Sequence, residues 1–379
     1  MHQYIWGKKV IGNSLSTARI YIHRIGLIVL CAALCVVSTQ RPAAANLDYV
    51  PIDVDQHATV AYSYFQIDED AYPDASLNFE SFSRHVEIIK NEEFNVVSLQ
   101  DLDEDKSRKK RNASPNIAIT FDTGHRSILD QAVPLLLKEK IPFAIFITPR
   151  EIDQGLPYLI QWSELKKLAR NPLVTIGIHN AEYKNISSYN DRSALEQSIL
   201  SAISRYREVF GTSPLYYAYP YGDHDSNIAK LLRAQGIKHA FGLHSGVIYK
   251  ESAPYNLPRF TMTDNYGSGQ RFVDTAYNLP FPTFDPIPEN TVLSTTPDSL
   301  SFSIPKAIQG SVSSLQCFHS GLGRIETEVI GEERVHIPLG ELGELSGRVR
   351  VNCTINAGYD EDAERQRWRW HGILLRVNE

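Results

Sequence analysis

The sequence predicts an α/β fold for the part of the chain between Thr59 and Phe284. Short apolar segments rich in β-branched and aromatic residues alternate there with segments whose apolar residues recur at helical spacing, a pattern typical of parallel sheets and barrels. Polar residues capable of catalysis follow several of the apolar segments. Because parallel α/β folds collect functional groups at the carboxyl ends of their strands, we expect these residues to share one face.

The elements of this region follow one another in regular alternation. The predicted strands are Thr59–Phe65, Asn116–Asp122, Pro142–Thr148, Leu173–His179, Leu215–Tyr219 and Lys238–Leu243. The predicted helices are Asn78–Lys90, Ile128–Lys138, Gln161–Ala169, Asp191–Val209 and Ser226–Gln235. Helix ends carry the expected residues, with N-cap candidates at Asn78, Asp191 and Asp225 and glycines just past helix ends at Gly211 and Gly236.

The composition changes after Pro280. A proline-rich stretch, Pro280–Pro288, leads into glycine-punctuated alternating segments with no helical pattern. The predicted strands are Leu300–Ile304, Arg324–Val329, Arg334–Leu339 and Arg348–Thr354. We therefore expect an α/β domain over residues 46–285 and a small C-terminal β-sandwich over residues 286–379, a size at which a hydrophobic core is marginal.

Residues 1–45 predict an export signal. A 13-residue uncharged run, Ile25–Val37, precedes the small-residue site Ala43–Ala45. The basic residues before the run are Lys8, Lys9, Arg19 and Arg24. Because a membrane-spanning helix needs about 20 apolar residues, we expect cleavage and a periplasmic or secreted protein. The alternative is retention of this segment as a membrane anchor.

Cysteine usage agrees with export. Cys31 and Cys35 lie inside the predicted signal, so the mature chain keeps Cys317 and Cys353. In an oxidising compartment these two are expected to form a disulfide, with a pair of buried free thiols as the alternative.

The charge balance limits the possible partners. A formal net charge of −6 and a pI near 6.1 provide no clustered positive field, which nucleic-acid binding requires. We expect no nucleic-acid partner and favour a neutral or weakly charged one.

Three segments resemble the motifs of the polysaccharide deacetylase family: Ile117–Gly124, Gly177–Tyr183 and Tyr217–Gly222. The resemblance extends over roughly Thr59–Phe284. It implies an irregular (β/α) barrel and a hydrolase that removes N-acetyl groups from an extracytoplasmic polysaccharide. In the family a divalent metal, usually zinc, assists the hydrolysis.

Mapped onto the family motifs, the chain keeps the general base but changes most metal ligands. The resemblance places the base at Asp122 and the adjacent ligand position at Thr123. The two histidine ligands of the second motif fall at His179 and Tyr183. A catalytic zinc normally keeps three protein ligands, and this chain offers one of them. Replacement ligands are chemically conceivable at His125 and Glu182, and also at Asp223 and His224.

The third motif, Pro220–Gly222, implies an oxyanion donor in the backbone N–H of Tyr221. His244 lies where the family often has a late catalytic residue, which suggests a general acid; a loop histidine that bonds its neighbours is the alternative. Ala218 replaces the arginine of the family's common motif, so Arg259 is the candidate for orienting Asp122. At the position of a further family histidine the chain has Ser63.

Several aromatic residues could stack on sugar rings, with ordinary core packing as the alternative for each. We predict substrate contacts from Tyr62, Tyr219 and Pro220. The other candidates are Trp162, Tyr217, Trp368 and Trp370.

Two functions from different classes remain open. The first is a metal-dependent N-deacetylase. The second is a catalytically inactive family member that binds glycan or an assembly partner. Hydrolysis of O-acetyl groups uses the same chemistry and is a variant of the first. A Ser-His-Asp hydrolase is not expected because the chain has no G-x-S-x-G motif.

Overall fold

The computed structural model describes residues 59–69, 71–102, 114–340, 345–360 and 364–377. The predicted export signal lies outside the described residues. Within the described ranges, no helix is long and apolar enough to cross a membrane.

The first region is built on a parallel sheet. Its strands, with a separate short pair, are β1 (Thr59–Tyr64), β2 (Gln66–Ile67), β3 (Ser76–Leu77), β4 (Asn95–Val96), β5 (Asn116–Phe121), β6 (Phe143–Ile147), β7 (Val174–Ile178), β8 (Tyr216–Ala218), β9 (His239–Phe241) and β10 (Phe260–Thr261). The strand order is β10-β1-β5-β6-β7-β8-β9, with β4 also paired to β5. Every pairing in this sheet is parallel. The predicted α/β class and irregular (β/α) barrel are confirmed.

Helices connect these strands. They are α1 (Phe79–Asn91), α2 (Val133–Lys138), α3 (Pro149–Asp153), α4 (Trp162–Leu168), α5 (Arg192–Phe210), α6 (Ser226–Ala234) and α7 (Gly269–Ala276). A π-helical turn, Ile128–Ala132, precedes α2, and short 3₁₀ turns lie at Leu99–Leu102, Ile186–Ser188 and Pro220–Gly222. One face of the sheet packs with the apolar faces of the helices in a large hydrophobic core. The other face forms a separate, smaller cluster that includes Ala61, Phe146 and Phe241. Packing on both faces fixes the strand ends in place.

The predicted caps are present. Asn78 accepts a hydrogen bond from the N–H of Ser81, and Asp191 accepts one from Ala194. Gly211 ends α5 in the left-handed conformation, at φ 73°. The sequence did not predict α3, α7 or β10, because these elements are short and their apolar residues only form a pattern once packed.

The C-terminal region contains two sheets around a second core. Its strands are β11 (Phe284–Ile287), β12 (Val292–Leu293), β13 (Ser299–Ser303), β14 (Gln316–His319), β15 (Gly323–Ile325), β16 (Glu328–Ile330), β17 (Arg334–Pro338), β18 (Gly347–Asp360) and β19 (Arg365–Val377). The orders are β11-β13-β17-β16 and β12-β19-β18-β14-β15. Residues from both sheets share one hydrophobic cluster, as the predicted β-sandwich requires.

Two details of this region differ from the predictions. The predicted strand Arg324–Val329 is split into β15 and β16, which belong to different sheets. A short helix, α8 (Lys306–Gln309), lies where no helix was expected, and a 3₁₀ turn follows at Val312–Ser314. The predicted disulfide between Cys317 and Cys353 is confirmed, joining directly opposed residues of β14 and β18.

One face of the five-stranded sheet packs on the barrel. The N–H of Gly372 donates to the Ser245 carbonyl at 2.7 Å, and the Trp370 ring meets Phe260 edge-on at 5.6 Å. Residues 51–379 form one compact unit, so the boundary between residues 285 and 286 stays a prediction. This packing places β18 and β19 beside the carboxyl ends of the barrel strands.

Candidate functional site

The carboxyl ends of β5, β7 and β8 bring three predicted site residues together. Asp122 directly follows β5, and His179 directly follows β7. Their side chains approach to 3.9 Å, measured from Asp122 Oδ1 to His179 Nε2. The turn Pro220–Gly222, which contains Tyr221, follows β8. The carbonyl of Ala218, the last residue of β8, accepts a hydrogen bond from His179 Nδ1 at 2.7 Å. We call this cluster of Asp122, His179 and Tyr221 the barrel mouth.

Arg259 fixes the carboxylate of Asp122. Its Nη1 and Nη2 donate to the two carboxylate oxygens at 2.7 and 3.0 Å. Both side chains are fully buried, and Arg259 also donates to Thr120 Oγ1 and to the Gly242 carbonyl. The expected contact between Arg259 and Asp122 is therefore confirmed. A two-pronged, buried pair of this kind orients a carboxylate firmly and leaves neither charge unpaired.

The ring of His179 has both nitrogens engaged. Because Nδ1 donates to Ala218, Nε2 is the acceptor, and it receives the backbone N–H of Thr123 at 3.2 Å. Burial lowers the pKa of His179 to about 4, an effect that the nearby Asp122 only partly opposes. The imidazole is thus neutral at pH 7, and the lone pair that a metal would use already faces an amide hydrogen.

The two substituted ligand positions hold groups that complete this internal bonding. Thr123 has φ 69°, a left-handed conformation that is unfavourable for a β-branched residue. The Tyr183 ring meets His179 edge-on at 4.9 Å, and its hydroxyl accepts the N–H of Tyr221 at 3.3 Å. Burial raises the pKa of Tyr183, so the phenol stays protonated. The Tyr183 hydroxyl therefore binds the Tyr221 N–H, which is the group predicted to stabilise an oxyanion.

The donor set does not fit a catalytic zinc site. Among the residues that the structure describes, no group of three or more His, Cys, Asp and Glu side chains could hold a metal ion. His125 Nδ1 bonds Ser127 Oγ at 2.8 Å, and Glu182 pairs with Lys184 at 2.8 Å. Both side chains are directed to other partners, so the replacement of lost ligands by His125 or Glu182 stays a prediction that these contacts do not favour.

The remaining suggested ligands differ in their contacts. Asp223 accepts from Arg376 Nε at 2.6 Å. The His224 ring packs edge-on against Tyr219 at 5.5 Å, and its Nδ1 is buried without a hydrogen-bond partner among the described residues. A site with His179 and Asp122 alone lacks the three ligands on which zinc catalysis depends.

The turn that carries Tyr221 has a constrained backbone. Tyr221 lies at φ 58° and Gly222 at φ 81°. A Cβ at Gly222 would lie 2.7 Å from the backbone nitrogen of Leu243, so glycine is required there. This geometry turns the Tyr221 N–H toward Tyr183 while leaving the Tyr221 ring 36% exposed.

His244 contributes its backbone to the site. Its carbonyl accepts the N–H of Arg259 at 2.9 Å. Burial, and then the charges of His371, His224 and Arg259, lower the pKa of His244 to about 3. A neutral imidazole is a poor proton donor at pH 7. The general-acid role of His244 stays a prediction, with its electrostatic surroundings unfavourable to it.

Tyr62, Tyr219 and Pro220 are all buried, so their predicted substrate contacts stay predictions that the packing does not favour. The Tyr62 hydroxyl donates to the Phe272 carbonyl at 2.7 Å, and its ring stacks on Phe272 at 4.3 Å. The Tyr219 hydroxyl donates to the Tyr255 carbonyl at 2.9 Å. These rings pack in the core.

The other aromatic candidates divide between core and surface. Tyr217 is buried, with its hydroxyl bonded to Asn180. Trp162 Nε1 bonds Asp153 at 2.8 Å, and Trp370 packs on the barrel. Trp368 is 39% exposed and keeps a ring face available.

The sequence analysis missed the arginines of the C-terminal sheet. Arg348 and Arg350 alternate along β18 with the core residues Val349 and Val351, and Arg376 lies opposite Arg348 on β19. The strict alternation of polar and apolar residues along β18 indicated that one face of this strand does not belong to the hydrophobic core of the C-terminal region. It could not reveal that this face lies against the barrel.

A comparison with known families agrees with this geometry. The family model described as Polysaccharide deacetylase matches residues 109–240. Residues 109–240 are therefore similar to the polysaccharide deacetylase family. The family consists of carbohydrate esterases that act on carbon–nitrogen bonds.

The curated relatives that the chain matches are named as polysaccharide N-deacetylases. The poly-beta-1,6-N-acetyl-D-glucosamine N-deacetylase of several Staphylococcus aureus strains, including MSSA476 and N315, is 23% identical over 216 residues. The match covers 54% of this chain and 73% of that protein.

Solved structures show the same fold. IcaB from Ammonifex degensii superposes with a TM-score of 0.52 at 21% identity and covers 58% of this chain and 97% of that one. The Streptococcus pyogenes deacetylase PplD gives a TM-score of 0.51 at 13% identity, over 58% and 97% of the two chains. At these identities the likeness establishes the fold and not the activity.

Proposed function

We propose that this chain is a glycan-binding member of the deacetylase family, that it works outside the cytoplasm, and that its barrel does not hydrolyse acetyl groups. The observation that carries the proposal is the internal bonding of the barrel mouth. Thr123 donates to the lone pair of His179, and Tyr183 accepts the amide hydrogen of Tyr221. Neither Thr123 nor Tyr183 supplies the metal ligand that the family motif has at its position, and the Tyr183 hydroxyl also binds the amide hydrogen of Tyr221.

The partner is proposed from the relatives and from the surface of the mouth. The Staphylococcus aureus relatives are named for an N-acetylated glucosamine polymer, and we extend that substrate class to this chain. Tyr221, a member of the barrel mouth, is 36% exposed, and Tyr266, beyond β10, is 51% exposed. Such rings can stack on the apolar faces of sugars. The extracytoplasmic location is supported by the predicted signal and by the nature of these relatives.

A second candidate is hydrolysis of N-acetyl groups, which one observation favours. Asp122 and His179 lie 3.9 Å apart, and Arg259 orients the carboxylate. This arrangement would suit a general base. Because the donor set does not fit a zinc ion, we derive no catalytic step from it.

Binding and hydrolysis are separated by one experiment. The purified chain is titrated with the hexamer of N-acetylglucosamine in a calorimeter, and acetate release is measured on the same samples with added zinc. We expect binding without acetate release above the uncatalysed rate. Tyr221→Ser, which keeps the backbone amide, should weaken binding about 3–10-fold.

Tyr359→Ser is the matched control, because Tyr359 is 59% exposed and lies at the far end of β18. It should bind like the natural chain. Zinc-dependent acetate release would favour the second candidate, and absence of any heat of binding would contradict the first.

A further inference from the structure

The strands β18 and β19 present three arginines to the barrel mouth. Arg348 and Arg376 are directly opposed in the antiparallel pair, and Arg350 lies two residues along β18. The same face approaches the turn after β8, because Leu374 Cδ2 lies 2.7 Å from the position of a Cβ at Gly222. We call Arg348, Arg350 and Arg376 the arginine face.

Arg376 is satisfied within the protein. Its Nε donates to Asp223 at 2.6 Å, and its guanidinium lies 5.7 Å from the centre of the Tyr221 ring. Asp223 is only 2% exposed, and burial raises the pKa of its carboxyl group while Arg376 opposes that rise. One carboxylate is thus already used by one arginine.

Arg348 is not satisfied. Its Nε and Nη2 are shielded from solvent and have no hydrogen-bond partner among the described residues. Buried guanidinium nitrogens without acceptors are costly, since each loses its bonds to water without replacement. Within the described part of the chain, this is an arginine held ready for an acceptor that the protein does not supply.

Two arginines and only one carboxylate act on the charge of Arg348. They are Arg350, Arg376 and the carboxylate of Asp223. Burial, and then the charge of Arg350, lower the pKa of Arg348 to about 10. The group remains a cation at pH 7, in surroundings that penalise the charge until an anion arrives.

Arg348 is close to the barrel mouth. It acts electrostatically on Tyr183, whose hydroxyl bonds the Tyr221 amide, and the Tyr221 ring is exposed. A sugar stacked on Tyr221 would therefore have a substituent within reach of the arginine face. A guanidinium matches the geometry of a carboxylate in two parallel hydrogen bonds.

We infer that the polysaccharide bound at this mouth is acidic, and that Arg348 holds a carboxylate of a uronate residue next to a sugar seated on Tyr221. This inference rests on the proposed glycan-binding function and specifies its substrate class. It differs from the expectation of a neutral or weakly charged partner, which used only the net charge of the chain.

The test compares two oligosaccharides of the same length on the full chain. One is a hyaluronan hexasaccharide, in which N-acetylglucosamine alternates with glucuronate. The other is the neutral N-acetylglucosamine hexamer. We expect the acidic oligosaccharide to bind at least about 10-fold more tightly in low salt, the range of a charge-assisted hydrogen-bonded pair.

Variants of Arg348 test whether this side chain causes the preference for the acidic oligosaccharide. Arg348→Met should weaken binding of the acidic oligosaccharide by about 10-fold or more and leave the neutral one within about 2-fold. Arg348→Lys should fall between, because it keeps the charge but loses the paired geometry. Arg170→Met, at an exposed position on the barrel surface, is the matched control and should change neither affinity.

The outcomes are distinguishable. Equal binding of the two oligosaccharides, or tighter binding of the neutral one, overturns the inference and leaves the proposed function standing. If neither oligosaccharide binds, the proposed function fails as well. Inorganic sulfate is the probe for a free anion, and stabilisation by sulfate without binding of the acidic oligosaccharide would show an ion site only. If Arg348→Met does not fold, the preference measured on the natural chain and on Arg348→Lys still decides the question.

Discussion

The barrel mouth and the arginine face lie side by side but differ in how their polar groups are used. In the barrel mouth, Asp122 has Arg259, His179 has an amide hydrogen and a carbonyl, and Tyr221 has a phenol oxygen. On the arginine face, Nε and Nη2 of Arg348 have no acceptor among the described residues. Polar groups satisfied internally hold a structure together, whereas unsatisfied ones have binding capacity left. The difference places the unsatisfied donors on the C-terminal sheet and not among the residues of the barrel mouth.

The largest expected effect tests whether the mouth is structural. Arg259→Met should lower the free energy of unfolding by about 3–5 kcal/mol, because it leaves the buried carboxylate of Asp122 without its partner. Urea denaturation of the natural and variant chains measures the difference.

Arg126→Met is the control for this change. Arg126 makes a similar two-pronged pair with Glu164 at 2.7 Å, but those side chains are 30% and 33% exposed. That substitution should cost less than about 1 kcal/mol. Equal costs for the two variants would contradict the claim that burial makes the Asp122 pair structural.

The second prediction concerns the support of the arginine face. The Cys317–Cys353 disulfide joins β14 to β18, the strand of Arg348, and closes a loop with a sequence separation of 36. Replacing both cysteines with alanine should lower the free energy of unfolding by about 2–4 kcal/mol. A reductant should destabilise the natural chain and have no effect on the variant. Insensitivity of the natural chain would show that the bond does not support this sheet.

The third prediction concerns His85, a buried side chain that is neutral at pH 7, in contrast to the buried cation Arg348. Burial lowers the pKa of His85 to about 4, although its ring bonds Tyr64 and the Gly267 carbonyl. Between pH 6.5 and 4 the unfolded chain binds a proton at this site that the folded chain does not. Stability should therefore fall as the pH drops through this window and level off below it.

His85→Gln, which keeps a hydrogen-bond donor, measures that contribution. The slope of unfolding free energy against pH should decrease by up to one proton, about 1.4 kcal/mol per pH unit. An unchanged slope would mean that His85 takes up its proton in the folded state too.

The smallest expected effect concerns the hydroxyl of Tyr183. Tyr183→Phe removes the acceptor of the Tyr221 amide hydrogen and should cost about 0.5–1.5 kcal/mol. Tyr72→Phe, at a 61% exposed position, should cost nothing measurable. Faster hydrogen exchange at Tyr221 would localise the change, and unchanged exchange would show that Tyr183 does not protect that amide.

Much of the fold could be predicted from local sequence. Capping residues such as Asn78 and Asp191 and the apolar strands before Asp122 and His179 act over a few residues, so their pattern is readable without a structure. The disulfide followed from the expected export of the chain. The partner of Asp122 followed from the family motif, because Ala218 stands where that motif has an arginine.

The predictions that the structure does not favour have one physical cause. The direction of a side chain and the packing of one element on another depend on residues that are distant in the sequence. Tyr62 was taken for a surface ring because α7, which covers it with Phe272, was not predicted. His125 is two residues from Thr123, yet its ring turns to Ser127. The position of Arg348 depends on one face of the C-terminal sheet lying on the barrel, which no spacing within β18 encodes.

The account depends most on the claim that the barrel mouth holds no catalytic metal. Zinc binding, measured by calorimetry and by metal content after dialysis, tests it on the natural chain and on the double variant Thr123→Asp with Tyr183→His. Aspartate tolerates the left-handed backbone at position 123 better than threonine, so the variant can restore the missing ligands beside His179. We predict no stoichiometric zinc in the natural chain and about one ion per chain in the double variant. One tightly held zinc ion per natural chain would contradict the account.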